Sequence, residues 1–193
     1  MIRRSLILLA AFPLAGCISF AADPPPSLLT LTSTQKVAAG QTVAAEAGRA
    51  LVILYPSTPQ AVATTRVPVK SDETTIAYLK DAQWVEAPNR LFQRVLAETV
   101  EARTGRPVLS PRAVTVDPGA RITGQLSNFG VDATTNNAVV TYDAVMVRGP
   151  QQVETRRFEA QVPVSRIEAG PVGAALNQAT NQIAVEVADW IGR

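Results

Sequence analysis

Histidine does not occur anywhere in the chain, and cysteine occurs once, at Cys17. Histidine is the usual general base near neutral pH and the commonest metal ligand. Its absence removes Ser-His-Asp and Cys-His catalysis, and a single cysteine rules out an intramolecular disulfide. Aspartate, glutamate, lysine and serine remain, so acid–base or Ser-Lys chemistry is not forbidden. The acids Asp81, Glu86, Glu98 and Glu101 show no spacing that sets two carboxylates around one substrate. Glu98 and Glu101 stand three apart on the polar side of an expected helix, the usual place for solvated charge. There is no G-x-x-x-x-G-K-[ST] run for a nucleotide phosphate and no metal-ligand cluster. The sequence therefore predicts no enzyme, no cofactor and no metal site.

Cys17 itself has a context. Met1-Ile2-Arg3-Arg4 is basic and free of acids, and the apolar run Leu6 to Leu14 follows it. That run is far short of the roughly 20 helical residues that a bilayer core demands. A basic start, a short apolar stretch and small residues form the secretory pattern. The small residues are Leu14-Ala15-Gly16-Cys17, which is similar to the lipobox of bacterial lipoproteins. The similarity implies diacylglycerol on the Cys17 thiol, cleavage after Gly16 and acylation of the freed amine. The plainer reading, a small buried residue of an ordinary secreted protein, does not account for the agreement of position and flanks. One acyl chain binds membranes marginally and two or more bind firmly, so such a cysteine is a lasting anchor. With the thiol consumed, zinc chemistry goes too. Ile18 follows the cysteine where an aspartate would favour retention at the inner membrane, which by analogy points to the outer membrane.

Removing residues 1–16 leaves 177, enough for one domain that buries about 70% of its unfolded surface. It also removes Arg3 and Arg4, leaving 16 basic and 16 acidic residues with the signs scattered. That balance offers no electrostatic footprint for nucleic acid. The organisation expected is a signal peptide over 1–16, a lipidated cysteine with a proline-rich tether over 17–27, and a domain over 28–193. Pro24-Pro25-Pro26 makes the tether extended and semi-rigid.

The elements of the domain follow from periodicity. Ser27 to Thr32 reads as a first strand, and residues 33–48 as loop. The run Ala50 to Tyr55, stopped by Pro56, is what a strand covered on both faces requires. Thr65 to Val69 suggests an edge strand, because Pro68 cannot donate to a ladder. Thr74 to Leu79 is another strand. Pro88 suits the first helical position, and Leu91, Phe92, Val95, Leu96 and Val100 then make a stripe at helical spacing. Thr104-Gly105-Arg106-Pro107 stops that helix. Val108 to Val116, Arg121 to Val131, Ala138 to Val147 and Val153 to Val164 read as strands, with turns at Asn136-Asn137 and Arg148-Gly149-Pro150. A closing helix spans about Gly170 to Trp190 on Val172, Leu176, Ala179, Ile183, Val187 and Trp190 or Ile191, with Asn177, Gln178, Asn181 and Gln182 outside the stripe. The fold class is α+β: a mixed, largely antiparallel sheet with the two long amphipathic helices packed on one face.

The stretch Tyr78-Leu79-Lys80-Asp81-Ala82-Gln83-Trp84-Val85-Glu86-Ala87-Pro88-Asn89-Arg90-Leu91-Phe92-Gln93 resembles the signature of ABC-type transport auxiliary lipoproteins, the family that includes the lipoprotein of the paraquat-inducible system. In that pattern a tyrosine precedes Trp-x-[Asp/Glu], then proline, then an amphipathic helix. Thr64 to Val69 resembles the segment before it, and the likeness spans roughly residues 28–191. The chain departs in a long loop around residues 56–64 and in Val85 after the tryptophan. The resemblance implies a non-catalytic accessory subunit of an MCE/ABC-type lipid transport system. Its partners would be a periplasmic MCE-domain protein with its ABC permease and ATPase, together with the membrane through the N-terminal lipid. Whether copies of the chain assemble as a homo-oligomer stays open. An outer-membrane assembly chaperone or pilotin is the alternative, to which the Trp-x-Glu-x-Pro run does not point.

Trp84, Glu86 and Pro88 are the candidate site residues besides Cys17. They are either a partner contact or a structural motif, and a tryptophan just ahead of a helix-starting proline favours a plug. Trp190 lies on an apolar stripe and reads as core. Arg156-Arg157 reads as a solvated face before it reads as a headgroup contact. Tyr78 and Tyr142 are expected to pack with their hydroxyls at the surface.

Overall fold

The computed structural model describes residues 27–112, 117–149 and 151–192. The signal segment, Cys17 and the tether up to residue 26 lie outside them, as do residues 113–116 of the expected strand over Val108 to Val116.

Among the described residues there are seven strands, two α-helices and one short 3-10 helix (Ala47–Arg49): β1 (Leu51–Ile53), β2 (Arg66–Lys70), β3 (Ile76–Gln83), α1 (Pro88–Thr104), β4 (Val108–Leu109), β5 (Ala120–Asp132), β6 (Asn137–Arg148), β7 (Gln152–Pro163) and α2 (Ala169–Ile191). The 13-residue β5 organises the sheet. Along one edge it pairs with β6 throughout, and β6 pairs in turn with β7. Its other edge is shared by two parallel partners, β1 opposite Ala120 to Ile122 and β2 opposite Val131 and Asp132. β3 adds to β2 antiparallel, and β4 adds to β1 in parallel. The long ladders are the antiparallel ones, so the sheet is mixed and largely antiparallel, the α+β class that the sequence predicts.

Alternation along β6 shows what drives the assembly. Ala138, Val140, Tyr142, Ala144 and Met146 are all buried, a period of two that points one face at the helices. Tyr142 stands opposite Phe158 of β7. Phe92 of α1 lies on Tyr142 with ring centroids 4.9 Å apart, and Trp190 of α2 lies on Phe158 at 5.7 Å. Both helices therefore cover the same sheet face. β1 is buried along its whole length, as its unbroken apolar run requires.

α1 begins with Pro88 in its first turn and ends at Gly105, whose φ of 63° no β-carbon-bearing residue adopts cheaply. Every residue of its predicted stripe is buried, as is every residue of the α2 stripe.

Three expectations need correction. The strand expected over Val108 to Val116 stops at Leu109, and residues 111–112 are turn. Ser27 to Thr32 forms no strand: only Leu29 makes an isolated bridge, to Trp84. Beyond that bridge the segment is held by side chains of α2 at Thr32. β2 is not an edge strand either, since it lies between β3 and β5. The sheet accommodates Pro68 because the β3 register shifts between Arg66 and Pro68, and pairing with β5 begins one residue later, at Val69.

Candidate functional site

The register shift in β3 builds the corner that carries the sequence motif. Between the pairs Pro68–Tyr78 and Arg66–Gln83 the β3 side holds extra residues, and Asp81 takes a positive φ of 54° there. Such a bulge bends a strand and re-aims the side chains after it. Ile76 to Asp81 are exposed or half-exposed, whereas Ala82 and Trp84 are buried.

Trp84 is 1% exposed, and its indole tilts against Phe129 of β5 with centroids 5.4 Å apart. Its backbone N–H donates to the Thr65 carbonyl at 2.7 Å. Its indole Nε1–H meets no acceptor among the described residues. Glu86 forms an ion pair with Arg94, one face of α1 further on. Pro88 is buried at the start of α1, and Ala87 supplies no side-chain cap. Polar side chains of the first turns instead tie α1 to β1 and the segment after it. Asn89 Nδ2 donates to the Pro56 carbonyl at 3.2 Å, and Gln93 Nε2 donates to the Ile53 carbonyl at 3.0 Å. The corner is thus a joint of β3, α1 and the segment after β1, with the tryptophan inside it.

Two apolar side chains are exposed at the corner, beside the exposed Lys80, Asp81 and Gln83. Leu29 donates its N–H to the Gln83 carbonyl at 2.7 Å and accepts from the Val85 N–H at 2.9 Å. Leu29 and Trp84 point inward, so alternation turns Leu28 and Val85 to the opposite side. Both are 51% exposed. The described chain therefore begins beside the motif, at an apolar spot.

From there the N-terminal segment runs along α2 as a strap. Leu29 lies over Gly173, close enough that a Cβ there would displace it. Thr32 N–H donates to Asn177 Oδ1 at 2.8 Å, and Thr34 N–H donates to Asn181 Oδ1 at 2.8 Å. Asn181 Nδ2 returns a bond to the Thr32 carbonyl at 2.9 Å. Ser33 shares a hydrogen bond with Thr99 of α1 at 2.8 Å, so the strap touches both helices. The sequence places Asn177 and Asn181 only outside the apolar stripe of α2. Their spacing of four places both amides on one side of the helix, which was the available signal.

The remaining candidates have other duties. Glu98 pairs with Lys36 at 3.4 Å, and Glu101 Oε1 accepts the Val108 N–H at 3.1 Å. Arg157 donates to Asp143 Oδ1 at 2.5 Å while Ser127 Oγ donates to Oδ2 at 2.8 Å. Those two hydrogen bonds, with the Arg157 charge, hold the Asp143 carboxyl below the usual carboxylate range. Arg156 lies over the Phe158 ring at 4.9 Å. Tyr78 sits half-exposed under the Arg66 guanidinium at 3.9 Å. Tyr142 corrects expectation: its hydroxyl is buried and donates to the Thr123 carbonyl at 3.0 Å, because the helices cover the whole face it points from. Among the described residues no three acids gather as a metal ion would need, and no helix is long and apolar enough to cross a membrane.

Comparison with known proteins fits this arrangement. A family model described as "ABC-type transport auxiliary lipoprotein component" matches residues 29–188, from the start of the strap to the last turns of α2. The fold is similar to that of a Xanthomonas campestris protein assigned to the DUF330 family model, at 18% identity and a TM-score of 0.70, covering 85% of this chain and 94% of that one. A second solved structure, an uncharacterized protein, is similar at 13% identity and a TM-score of 0.68, over 86% of this chain and 99% of that one. No curated protein matches the chain in sequence.

Proposed function

Because the chain belongs to the ABC-type transport auxiliary lipoprotein family, we propose that it is the accessory subunit that holds a periplasmic MCE assembly against the outer membrane. In this reading Cys17 carries the lipid, and residues 18–26 span from the bilayer to the corner at Leu28 and Val85. The protein turns over no substrate. It acts by binding while a separate permease and ATPase supply the work.

The observation that carries the reading is the family match together with the position of the motif. Trp84 is spent inside the corner, so the contact offered to a partner is the apolar pair Leu28 and Val85 on its outside, beside the point where the tether begins. Apolar side chains left out of a core that had room for Trp84 are a common mark of an interaction site when they cluster.

Membrane fractionation tests it. In cells with the wild-type chain, the lipoprotein and the MCE-domain protein should both be recovered with outer membranes after a high-salt wash. Cys17→Ser should move the lipoprotein to the soluble fraction and loosen the MCE protein from outer membranes. A Ser variant that stays with washed membranes, or an MCE protein whose distribution does not change, contradicts the reading.

A further inference from the structure

At the opposite end of the helices from the corner, the last turns of α1 and α2 border a cavity of about 660 Å³. The distance from Gly173, where Leu29 sits, to Ala188 at its edge is roughly 20–25 Å along the axis of α2. Arg49, Arg103, Arg106 and Arg148 line it, against one acid, Asp189, among the described residues. They arrive from four places: the short 3-10 helix Ala47–Arg49, the last turn of α1, the turn after it, and the end of β6. Backbone fixes the wall beside Arg49. Gly119 donates its N–H to the Ala50 carbonyl at 2.9 Å and passes so close to Gly48 that any Cβ would collide with the Gly48 carbonyl.

Helix C-termini attract cations, and that explains part of the cluster. Arg148 Nη2 donates to the Ile191 carbonyl at 3.1 Å, and its Nη1 lies 3.9 Å from Glu154. Arg103 gives Nε and Nη2 to Asp189 Oδ1 at 3.1 and 2.6 Å. The other two arginines have no such duty. Arg106 uses Nε on the Arg49 carbonyl at 2.7 Å, and its terminal nitrogens make no hydrogen bond or ion pair among the described residues. The side chain of Arg49 makes none either. Burial, then the charges of Arg148 and Arg49, hold the Arg106 guanidinium below its ordinary value. Like charges have been brought together with donors to spare, an arrangement that an anion would relieve.

We propose that this cavity binds a phosphoryl group, carried by a phospholipid headgroup or by a small phosphate. Guanidinium forks arriving from several directions match a tetrahedral oxyanion better than a planar carboxylate, and their N–H donors engage it without deprotonation. The volume lies in the range of small-molecule sites and exceeds what one phosphate fills, leaving room for the remainder of a headgroup. The proposal stands on this geometry and does not depend on an MCE partner.

Calorimetry on the full-length chain in non-ionic detergent tests it. The probes are inorganic phosphate and short-chain phosphatidylglycerol, with the matching diacylglycerol as a phosphate-free control. The wild type should bind at least one phosphate probe and not the diacylglycerol, more weakly as salt rises. Arg49→Gln and Arg106→Gln should each weaken that binding about tenfold or more, the worth of a charge-assisted hydrogen bond. Arg166→Gln, outside the cavity, should change nothing. Because the Arg49 side chain supports no other group, Arg49→Gln keeps the test valid if Arg106→Gln lowers the melting temperature. Binding of phosphatidylglycerol alone assigns the site to a headgroup, and binding of phosphate alone assigns it to a free ion. The proposal is overturned if no phosphate probe binds, if both variants bind like wild type, or if an oligoglutamate peptide binds in place of phosphate.

Discussion

Asn181 of α2 accepts two hydrogen bonds from Thr34, one from its backbone N–H at 2.8 Å and one from its hydroxyl at 3.0 Å, through a single amide oxygen. Its amide nitrogen is spent as well, on the Thr32 and Asn177 carbonyls. At 7% exposure this side chain is a clasp for the strap, with little water to replace a lost partner. Asn181→Ala should therefore cost about 2–3 kcal/mol, the sum of a few buried hydrogen bonds. A thermal melt checks the size. Limited proteolysis checks the cause, since new cleavage should fall within residues 27–36.

Trp84 should behave as a core residue. Trp84→Ala removes a buried indole and should cost about 3–5 kcal/mol, a fall of about 6–20 °C in Tm for a domain of this size. Trp84→Phe keeps the aromatic contact with Phe129 and discards an N–H that finds no acceptor. It should cost clearly less, about 1–2 kcal/mol. Equal losses in the two variants would contradict the plug and give the indole nitrogen a role of its own.

Tyr142 should make stability fall at alkaline pH. Burial raises its phenol well above the ordinary value of 10.0, so the folded state keeps a proton that the unfolded chain releases. The stabilisation is complete below that value and is lost as pH rises through and beyond it. Denaturation measured from about pH 9 to pH 11 should show the decline in the wild type and a flatter profile in Tyr142→Phe. The variant should also lose about 1 kcal/mol at neutral pH, with the hydrogen bond to Thr123. Asp143 has the opposite sign. Its lowered value contributes stability above the unfolded 3.8, which is lost as pH falls through the lower folded value.

The parts of this fold that were legible in the sequence are those whose causes are local. Pro88 and Gly105 mark the ends of α1 because each acts through its own backbone, and β6 is legible because alternation is a property of one strand facing a helix layer. Ser27 to Thr32 misled because Leu28, Leu29 and Leu31 alternate as a strand would, while among them only Leu29 pairs with another backbone, at Gln83 and Val85, and Thr32 is held by Asn177 and Asn181, about 145 residues later. Pro68 misled because a proline in an interior strand is tolerated only through a register shift, and pairing partners do not show in a linear sequence. At the motif, the sequence marks Trp84, Glu86 and Pro88, yet Val85 and Leu28 come to one corner only through the Leu29–Trp84 bridge. The arginine cavity was invisible, since Arg49, Arg103, Arg106 and Arg148 belong to four elements and look singly like ordinary surface charge.

The most direct measurement of the central claim is co-purification of the full-length, lipidated chain from detergent-solubilised membranes. A stable complex with an MCE-domain protein is expected, weakened by Leu28→Glu or Val85→Glu without loss of the fold. Recovery of the chain with an outer-membrane β-barrel or a secretin, and no MCE-domain protein, would contradict it and favour an assembly chaperone or pilotin.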